Sequence, residues 1–486
     1  MRPAVRFLGD QLRDDIIAEA RTLLEKLGVE IHNPGLLSLL RDHGARIDAN
    51  AKRAFLGGAI IEKALKTAPS GFRLYDVQGR QTNDLSGQNV HFTPGSAAIN
   101  ILDHQQQVIR KPTTDDYVRY AKLVSRLEHL ASQSTAMIPG DVHQNISDSY
   151  RLYLSLIYGT KPVVTGAFTI DAFEVMKDLQ VAIRGTEEAL RAKPLTVFSC
   201  CPTAPLKWSD VTSQNVVDCA RYAIPVEYIS MPLAGFVAPV TLVGSLVQHT
   251  AETLSGVVIS QLTNPGTPVL YGGSPAIFDV RYETTPMGAV ETMMIDCAYN
   301  EIGKGLGLPT QAYIALSDAK LLDAQAGVES SMGATLAALA GVNSVSGPGM
   351  LDFESCLSLE KLVLDNEICG MALRLVKGIE PKEDFPSLPR FEELLAEQHL
   401  LISNHTRRYL RDEHYFPGPS IDRANRSRWQ EEGARTLGAR AHAEVERLVA
   451  AYEPTDLPDT VKSALTERMT SEAKRHGMTA LPHECR

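Results

Sequence analysis

The sequence lacks the short signatures of several large enzyme classes. It has no C-x-x-C pair, no H-E-x-x-H, no G-x-x-x-x-G-K-[ST] and no G-x-S-x-G. Paired-cysteine zinc, zinc-protease, P-loop and serine-hydrolase chemistry therefore have no basis here. No apolar run reaches the ~20 residues that span a bilayer. The start, MRPAVRFLGDQLRDD, turns acidic too early for a signal peptide, which gives the expectation of a cytoplasmic chain. Positive charge is also short: 48 Lys and Arg face 58 Asp and Glu, a formal net charge of −10. Long-range attraction to nucleic acid or to an anionic membrane is not expected from that balance.

The 7 cysteines are odd in number and sit mostly in apolar contexts, as reduced, buried thiols do. Cys200-Cys201 are adjacent, a poor geometry for chelating one ion, so no metal is expected. His483-Glu484-Cys485 looks zinc-like, but nothing beyond it completes a coordination sphere, and it reads as a frayed tail.

What the sequence does have is a rhythm. Short apolar runs recur at Ser134–Ile138, Val163–Phe168, Leu195–Cys200, Val226–Met231, Val269–Tyr271, Ala312–Leu316 and Val342–Val345, with helical stretches between them. Several runs follow a proline directly, and several break into Gly, Ser or Pro. These repeats, spread over roughly 240 residues, fit a (β/α)8 TIM barrel with one strand uncounted, before Pro112 or after the Asp365 helix. A doubly wound open sheet is the alternative, but no G-x-G-x-x-G follows the first strand. No other internal repeat is evident.

Ahead of the repeats, 1–110 reads as a helical cap over 10–68, a short strand at Phe72–Tyr75 and a hairpin at 91–103, and 111–380 as the barrel. Beyond it, 381–486 reads as a helical extension dense in Arg and Glu, suited to packing or to an oligomer contact. The organising stretch is 309–370, one strand-loop-helix-strand unit with a helix over Ala319–Ala340. Its polar residues Ser317, Asp318, Gln325 and Glu329 gather at or just after a strand's carboxyl end, where parallel α/β folds meet their ligands.

That stretch also carries a resemblance. SDAK…DAQAG.E, ALAGVN…G.GML and LEKLVLDNEI.G resemble the trimethylamine methyltransferase superfamily, nearly end to end from LLEKLGVEIHNP to IDRANRSRW. The match is to members without the pyrrolysine of the founding enzymes. It implies a TIM barrel that moves a methyl group from an amine to Co(I) of a separate corrinoid protein. This chain has no corrinoid-binding D-x-H-x-x-G of its own: Asp141-Val142-His143 continues Gln-Asn-Ile. No tightly bound cofactor is expected, and the methylated cobalamin belongs to the partner.

A quaternary amine leaves as a neutral amine without acid assistance, so a member without pyrrolysine points to a quaternary, betaine-like donor. Such a cation has no hydrogen to donate, and its hosts are aromatic faces and carboxylates. Phe168, Tyr228, Tyr271 and Tyr313 lie in or near strand ends, Tyr271 just before Gly272-Gly273-Ser274, although core packing is the other role open to each. His143 lies in a first-half loop. Asp318 and Gln325 match SDAK…DAQ; Asp318 is equally suited to capping the next helix, and Glu329 shares a helix face with Gln325. Asp365 follows an apolar helix entrance and is paired or turned toward the mouth.

Members of the glycine betaine type carry His and Lys around the QAG.E segment, where this chain has Val328. The expected substrate is therefore bulkier than glycine betaine, or holds its carboxylate elsewhere. Two other readings remain open: a barrel lyase or aldolase, for which Lys320 is the one lysine near a strand end, and a betaine-binding protein without catalysis.

Overall fold

The computed structural model describes residues 1–482, so His483-Glu484-Cys485 lies outside the described residues. Eight short strands lie parallel in chain order. The first four are His91–Thr93, Gln133–Ser134, Val163–Thr165 and Thr196–Cys200. The next four are Val226–Ser230, Val269–Gly273, Gln311–Tyr313 and Ser344–Ser346. Ladders join the second strand through to the sixth, and the seventh to the eighth and on to the first. Parallel bridges Tyr271↔Thr310 and Phe92↔Leu130 link the two groups, so the pairings return to their starting strand. The seven anticipated runs all contribute strands. The uncounted one is His91–Thr93, and a domain boundary at residue 110 would cut through this ring.

A helix follows each strand, from Thr114–Arg126 to Leu359–Val376. Most begin on a side chain built for the purpose. Thr113 and Asp116 form a reciprocal capping box, and Thr169, Ser209, Thr241, Asp323 and Ser358 each accept a backbone N–H of the first turn. Each such cap is worth about 1 kcal/mol. Asp318 is not among them: the seventh helix starts at Ala324, five residues after the expected start, and Asp323 caps it.

Period two sorts the strand residues. Val163, Phe198, Val226, Tyr228, Val269 and Tyr271 join the main core under the helices. Val164, Val197 and Leu270, on the opposite face, form a separate cluster with Leu74 and Leu85. Those two leucines belong to a hairpin, Gly71–Tyr75 with Gln81–Ser86. Tyr75 N–H donates to Pro194 and Val77 N–H to Thr160, both just ahead of a strand. The hairpin therefore closes the amino end of the ring's interior with apolar side chains. The rest of the leading segment is not all helix. Its strands Val29–Ile31, Arg46–Asp48 and Arg53–Phe55 make a small sheet with Lys207–Trp208. No helix among the described residues is long and apolar enough to cross a membrane.

Asp365 is part of this scaffold rather than of the mouth. Its carboxylate accepts Gly349 N–H at 2.6 Å and Lys361 Nζ at 2.5 Å, and Lys361 also donates to Ser330 at 2.7 Å. The pair locks the loop after the eighth strand to the last two helices of the ring. Both side chains are buried, so removing one partner leaves an uncompensated buried charge. We expect Lys361→Met to destabilise the fold by ~3–5 kcal/mol in chemical unfolding; a loss below ~1 kcal/mol would show that the pair does not hold the loop.

Candidate functional site

Above the apolar plug the inward positions change character. The fourth strand ends with Ser199 and Cys201, the fifth contributes Glu227, and the seventh Gln311 and Tyr313. Glu227 is 0% exposed. Ser199 Oγ donates to Glu227 Oε1 at 2.6 Å, while Oε2 has no partner. Gln311 Oε1 accepts Gly273 N–H at 3.2 Å, and its Nε2 is likewise unpartnered. Buried polar atoms left open in this way are what a ligand or a bound water completes. The walls of the ring are buried, yet Gly166, Ser199 and Cys201 remain partly accessible, as do Ser96 and Glu354 above them. Unfilled space is thus left inside the ring beside Ser199, Cys201 and Glu354.

Glu354 enters from the loop after the eighth strand, and its backbone shows what holds it there. Asp352, Phe353 and Glu354 have φ of 51°, 55° and 69°, three successive side-chain-bearing residues in the left-handed region. Each costs roughly 1–2 kcal/mol relative to a right-handed conformation. The turn is held by Asp352 N–H on Ala319 and by Ser355 Oγ on Asp352 at 2.6 Å. Lys320 Nζ adds an ion pair to Asp352 at 3.4 Å and lies 3.9 Å from the Phe353 ring centroid. Glu354 Oε1 accepts Ser96 N–H at 3.4 Å, and Ser96 Oγ is 3.3 Å from the Tyr313 hydroxyl.

These groups feel one another. Burial pushes the Glu227 carboxyl up to about 7, with the Ser199 hydrogen bond opposing. Burial also lifts Glu354 well above the carboxylate range, opposed by Ser96 N–H and reinforced by the charge of Glu227. Tyr313 is raised by burial and then by Glu354 and Glu227, and burial with the same acids pushes the Cys201 thiol up to about 12. No cationic side chain is among the charges acting on these four groups. The interior is a pair of uncompensated carboxyls and a phenol, suited to hosting a cation or to exchanging a proton near neutrality.

Of the sequence candidates, only Tyr313 lies in this interior. Tyr228 and Tyr271 point the other way and donate to Ser260 at 2.6 Å and Thr250 at 3.0 Å on the helix Leu242–Thr263. Being one residue out of register with the inward positions, they cannot line the interior. Asp318, Gln325 and Glu329 do come together, but as a brace. Glu329 accepts Ser317 Oγ at 2.5 Å, Asp318 N–H at 2.8 Å and Gln325 Nε2 at 2.9 Å. Asp318 in turn accepts Met287 and Gly288 N–H, both at 2.9 Å, and burial pushes its carboxyl up to about 6.

Ser274 is buried, with its hydroxyl 4.0 Å from Met287 Sδ. Val328 is 65% exposed on the outer side of its helix, not in this interior. Phe168 stands at the rim, its N–H on Asp148 and its ring 5.2 Å from the Arg151 guanidinium. His143 is exposed, caps a single 3-10 turn and stacks on His476. Among the described residues, no three His, Cys, Asp or Glu side chains are grouped to hold a metal ion.

Sequence reasoning missed Glu227, Ser199, Gln311 and Glu354. Glu227 had a signal: it is the one charged residue inside the apolar run Val226–Met231. Glu354 had none, because its position depends on a left-handed turn that no residue type announces.

A carboxyl whose folded pKa is raised holds its proton longer than in the unfolded chain. The fold therefore loses stability as pH rises from the ordinary glutamate range toward 7, by about 3 kcal/mol for a shift of this size. Glu227→Gln should remove this group's share of the slope, with Glu354 and Asp318 keeping theirs, and leave the variant more stable than the parent at pH 8, as unfolding midpoints across pH 4.5 to 8 will show. A parent with no slope there would mean that Glu227 ionises freely.

The trimethylamine methyltransferase (MTTB) family model matches residues 2–477. The chain is 32% identical to trimethylamine methyltransferase MttB of Methanosarcina thermophila, over 90% of this chain and 91% of that one. It is 30% identical to glycine betaine methyltransferase of Desulfitobacterium hafniense (strain Y51), over 98% of both chains. Against trimethylamine methyltransferase MttB of D. hafniense (strain DSM 10664 / DCB-2) it is 28% identical, covering 94% of this chain and 92% of that one. Matched across nearly its whole length, the chain belongs to the trimethylamine methyltransferase family.

Proposed function

We propose that this chain transfers a methyl group from a quaternary ammonium compound to Co(I) of a separate corrinoid protein, and that the ring of eight strands is a TIM barrel with the donor bound at its carboxyl mouth. The observation that carries this reading is the uncompensated pair Glu227 and Glu354 beside Tyr313, next to space left inside the ring at Ser199. A permanent cation is the ligand such a site favours, because it supplies the charge that the buried carboxyls lack. In the transfer the C–N bond breaks with its electron pair left on nitrogen, and the lone pair of Co(I) forms the Co–CH3 bond. No proton is needed for the amine to leave. The protein's share is to hold the cation between the carboxyls and keep water out.

The cobalt must approach from the mouth. The loops there present exposed apolar side chains: Phe168 after the third strand, Met231 and Phe236 after the fifth, Val280 and Tyr282 after the sixth. We take this rim as the docking face. Gly272–Ser274 and Gly347–Gly349, at the ends of the sixth and eighth strands, are buried and take no part in it. A lyase or aldolase working through Lys320 has little support, since that amine is committed to the Asp318 carbonyl at 2.7 Å and to Asp352.

With Val328 on the outer surface, nothing about the substrate's carboxylate follows from it. The interior does bear on that point. A short betaine would bring its own carboxylate within reach of two others with no cation to meet it. Tetramethylammonium should therefore methylate Co(I) faster than glycine betaine, proline betaine or carnitine, with trimethylamine poor, in a panel read from the cobalt absorbance with the cognate corrinoid protein. Glu354→Gln should lower the rate at least tenfold. Trimethylamine as best donor would overturn the quaternary reading, and glycine betaine as best donor would overturn the charge reading of the interior. Binding by calorimetry without any cobalt methylation would make the chain a betaine-type binding protein.

A further inference from the structure

After the last helix of the ring the chain leaves the body of the molecule and comes back. Arg374, in the last turn of that helix, donates from Nε and Nη2 to the Glu413 carbonyl at 3.1 and 2.8 Å. The excursion between, 379–413, is closed at its base by that contact. It contains two helices, Leu388–Glu397 and Asn404–Glu413, and neither has a single buried residue. The later helices Leu437–Ala450 and Asp459–Arg475 differ: each buries a stripe against its own chain.

The apolar residues of this arm are large and open. Ile379 is 93% exposed, Phe385 84%, Leu401 77% and Leu395 71%. Leu388, Phe391 and Leu395 follow one another at spacings of three and four, which places them on one face of their helix. Isolated helices of this length are marginal in water and are ordinarily fixed by packing an apolar face. Here no described residue buries the face of Leu388, Phe391 and Leu395. Large apolar side chains left open along one helix face mark an interface.

Two observations choose the partner. The first is position. The helix Leu359–Val376 runs back from the carboxyl end of the eighth strand, so the arm springs from the amino end of the ring. The chain's own start lies there too: the Met1 carbonyl sits over Gly378, and Arg2 donates to Ala338 in the last turn of the seventh helix at 2.7 Å. A protein that delivers cobalt to the mouth would dock at the other end. The second is charge. The first arm helix carries Glu392, Glu393 and Glu397 against Arg390, and the second Arg407, Arg408 and Arg411 against Asp412 and Glu413 at its end, so one is net acidic and the other net basic. Of these, Glu392, Glu397, Arg407 and Arg411 form no ion pair among the described residues, so each helix offers charges that its own chain leaves unused. A two-fold contact sets the acidic helix of one copy on the basic helix of the other, twice over.

We propose that residues 379–413 are a self-association arm, and that a second copy of this chain covers its apolar face through a two-fold contact. The full-length protein should sediment as a dimer, or as a larger closed assembly of such dimers, at 10 μM. Phe391→Glu with Leu395→Glu should shift it to monomer and raise the rate of proteolysis within 379–413 at least tenfold. The thermal midpoint of the remaining fold should hold, since neither side chain is buried. Glu392→Arg with Glu397→Arg, and separately Arg407→Glu with Arg411→Glu, should each weaken association, and a mixture of the two variants should recover it. A monomeric parent at 10 μM, an assembly indifferent to the Phe391 and Leu395 changes, or charge variants that do not rescue one another would each overturn the proposal. So would crosslinking of a corrinoid protein to the arm in place of a second copy.

Discussion

A carboxyl group placed inside a ring of parallel strands, with no cation to meet it, is the constraint on which the rest depends. Removing a carboxylate from water is costly enough that it either pairs or takes up a proton. Asp365 and Asp148 pair, with Lys361 and Arg151. Glu227 does not, and its proton affinity rises toward neutrality instead. Its surroundings keep it there. The apolar plug of Leu74, Leu85, Val164, Val197 and Leu270 closes the floor, and Ser199 supplies the single hydrogen bond. A scaffold selected for stability alone would not leave Oε2 of that carboxyl and Nε2 of Gln311 open in its interior. The unfavourable term resides where a bound cation would offset it.

Much of the scaffold was legible in the sequence, because a buried parallel strand declares itself as a short apolar run and its helix by a capping residue. Seven of the eight strands are visible that way. The remaining one, the first strand His91–Thr93, was not, since it is three residues long and begins with a histidine whose ring bonds to Asp84. The site was less legible, for a reason of period. Tyr228 and Tyr271 have the chemistry of cation hosts, and they sit one step along the strand from the inward positions. A one-residue difference reverses the face. Sequence could list the aromatic residues at strand ends; without the register it could not say which of them looked inward. Glu227 fell on the right side of that alternation and Tyr228 on the wrong one.

The residues singled out by family likeness turn out to be structural neighbours of the site. Asp318 takes two backbone N–H groups of the loop after the sixth strand, and Glu329 takes Asp318 N–H and Ser317 from the loop after the seventh. Lys320 reaches from that same loop to Asp352 in the loop after the eighth. Three consecutive mouth loops are thereby tied into one unit. Motif matching finds such residues because a brace of this kind constrains residue type as tightly as chemistry does, and the match alone cannot tell the two apart.

That brace also accounts for the most costly backbone in the chain. Three left-handed residues in succession, Asp352 to Glu354, would relax unless the surrounding contacts outweighed about 3–6 kcal/mol of strain. The contacts come from the braced loop: Ala319 receives Asp352 N–H, and Lys320 grips Asp352 and covers Phe353. The result of the strained turn is the direction of one side chain, Glu354, which is carried to within hydrogen-bond reach of Ser96 and within the field of Glu227. Strain concentrated at one turn and directed at one carboxyl is what a positioned functional group requires, and a loop serving only to connect would have no reason to store it. The braced loops hold Glu354, and Glu354 completes with Glu227 the cation site proposed above, which the ring alone would only half enclose.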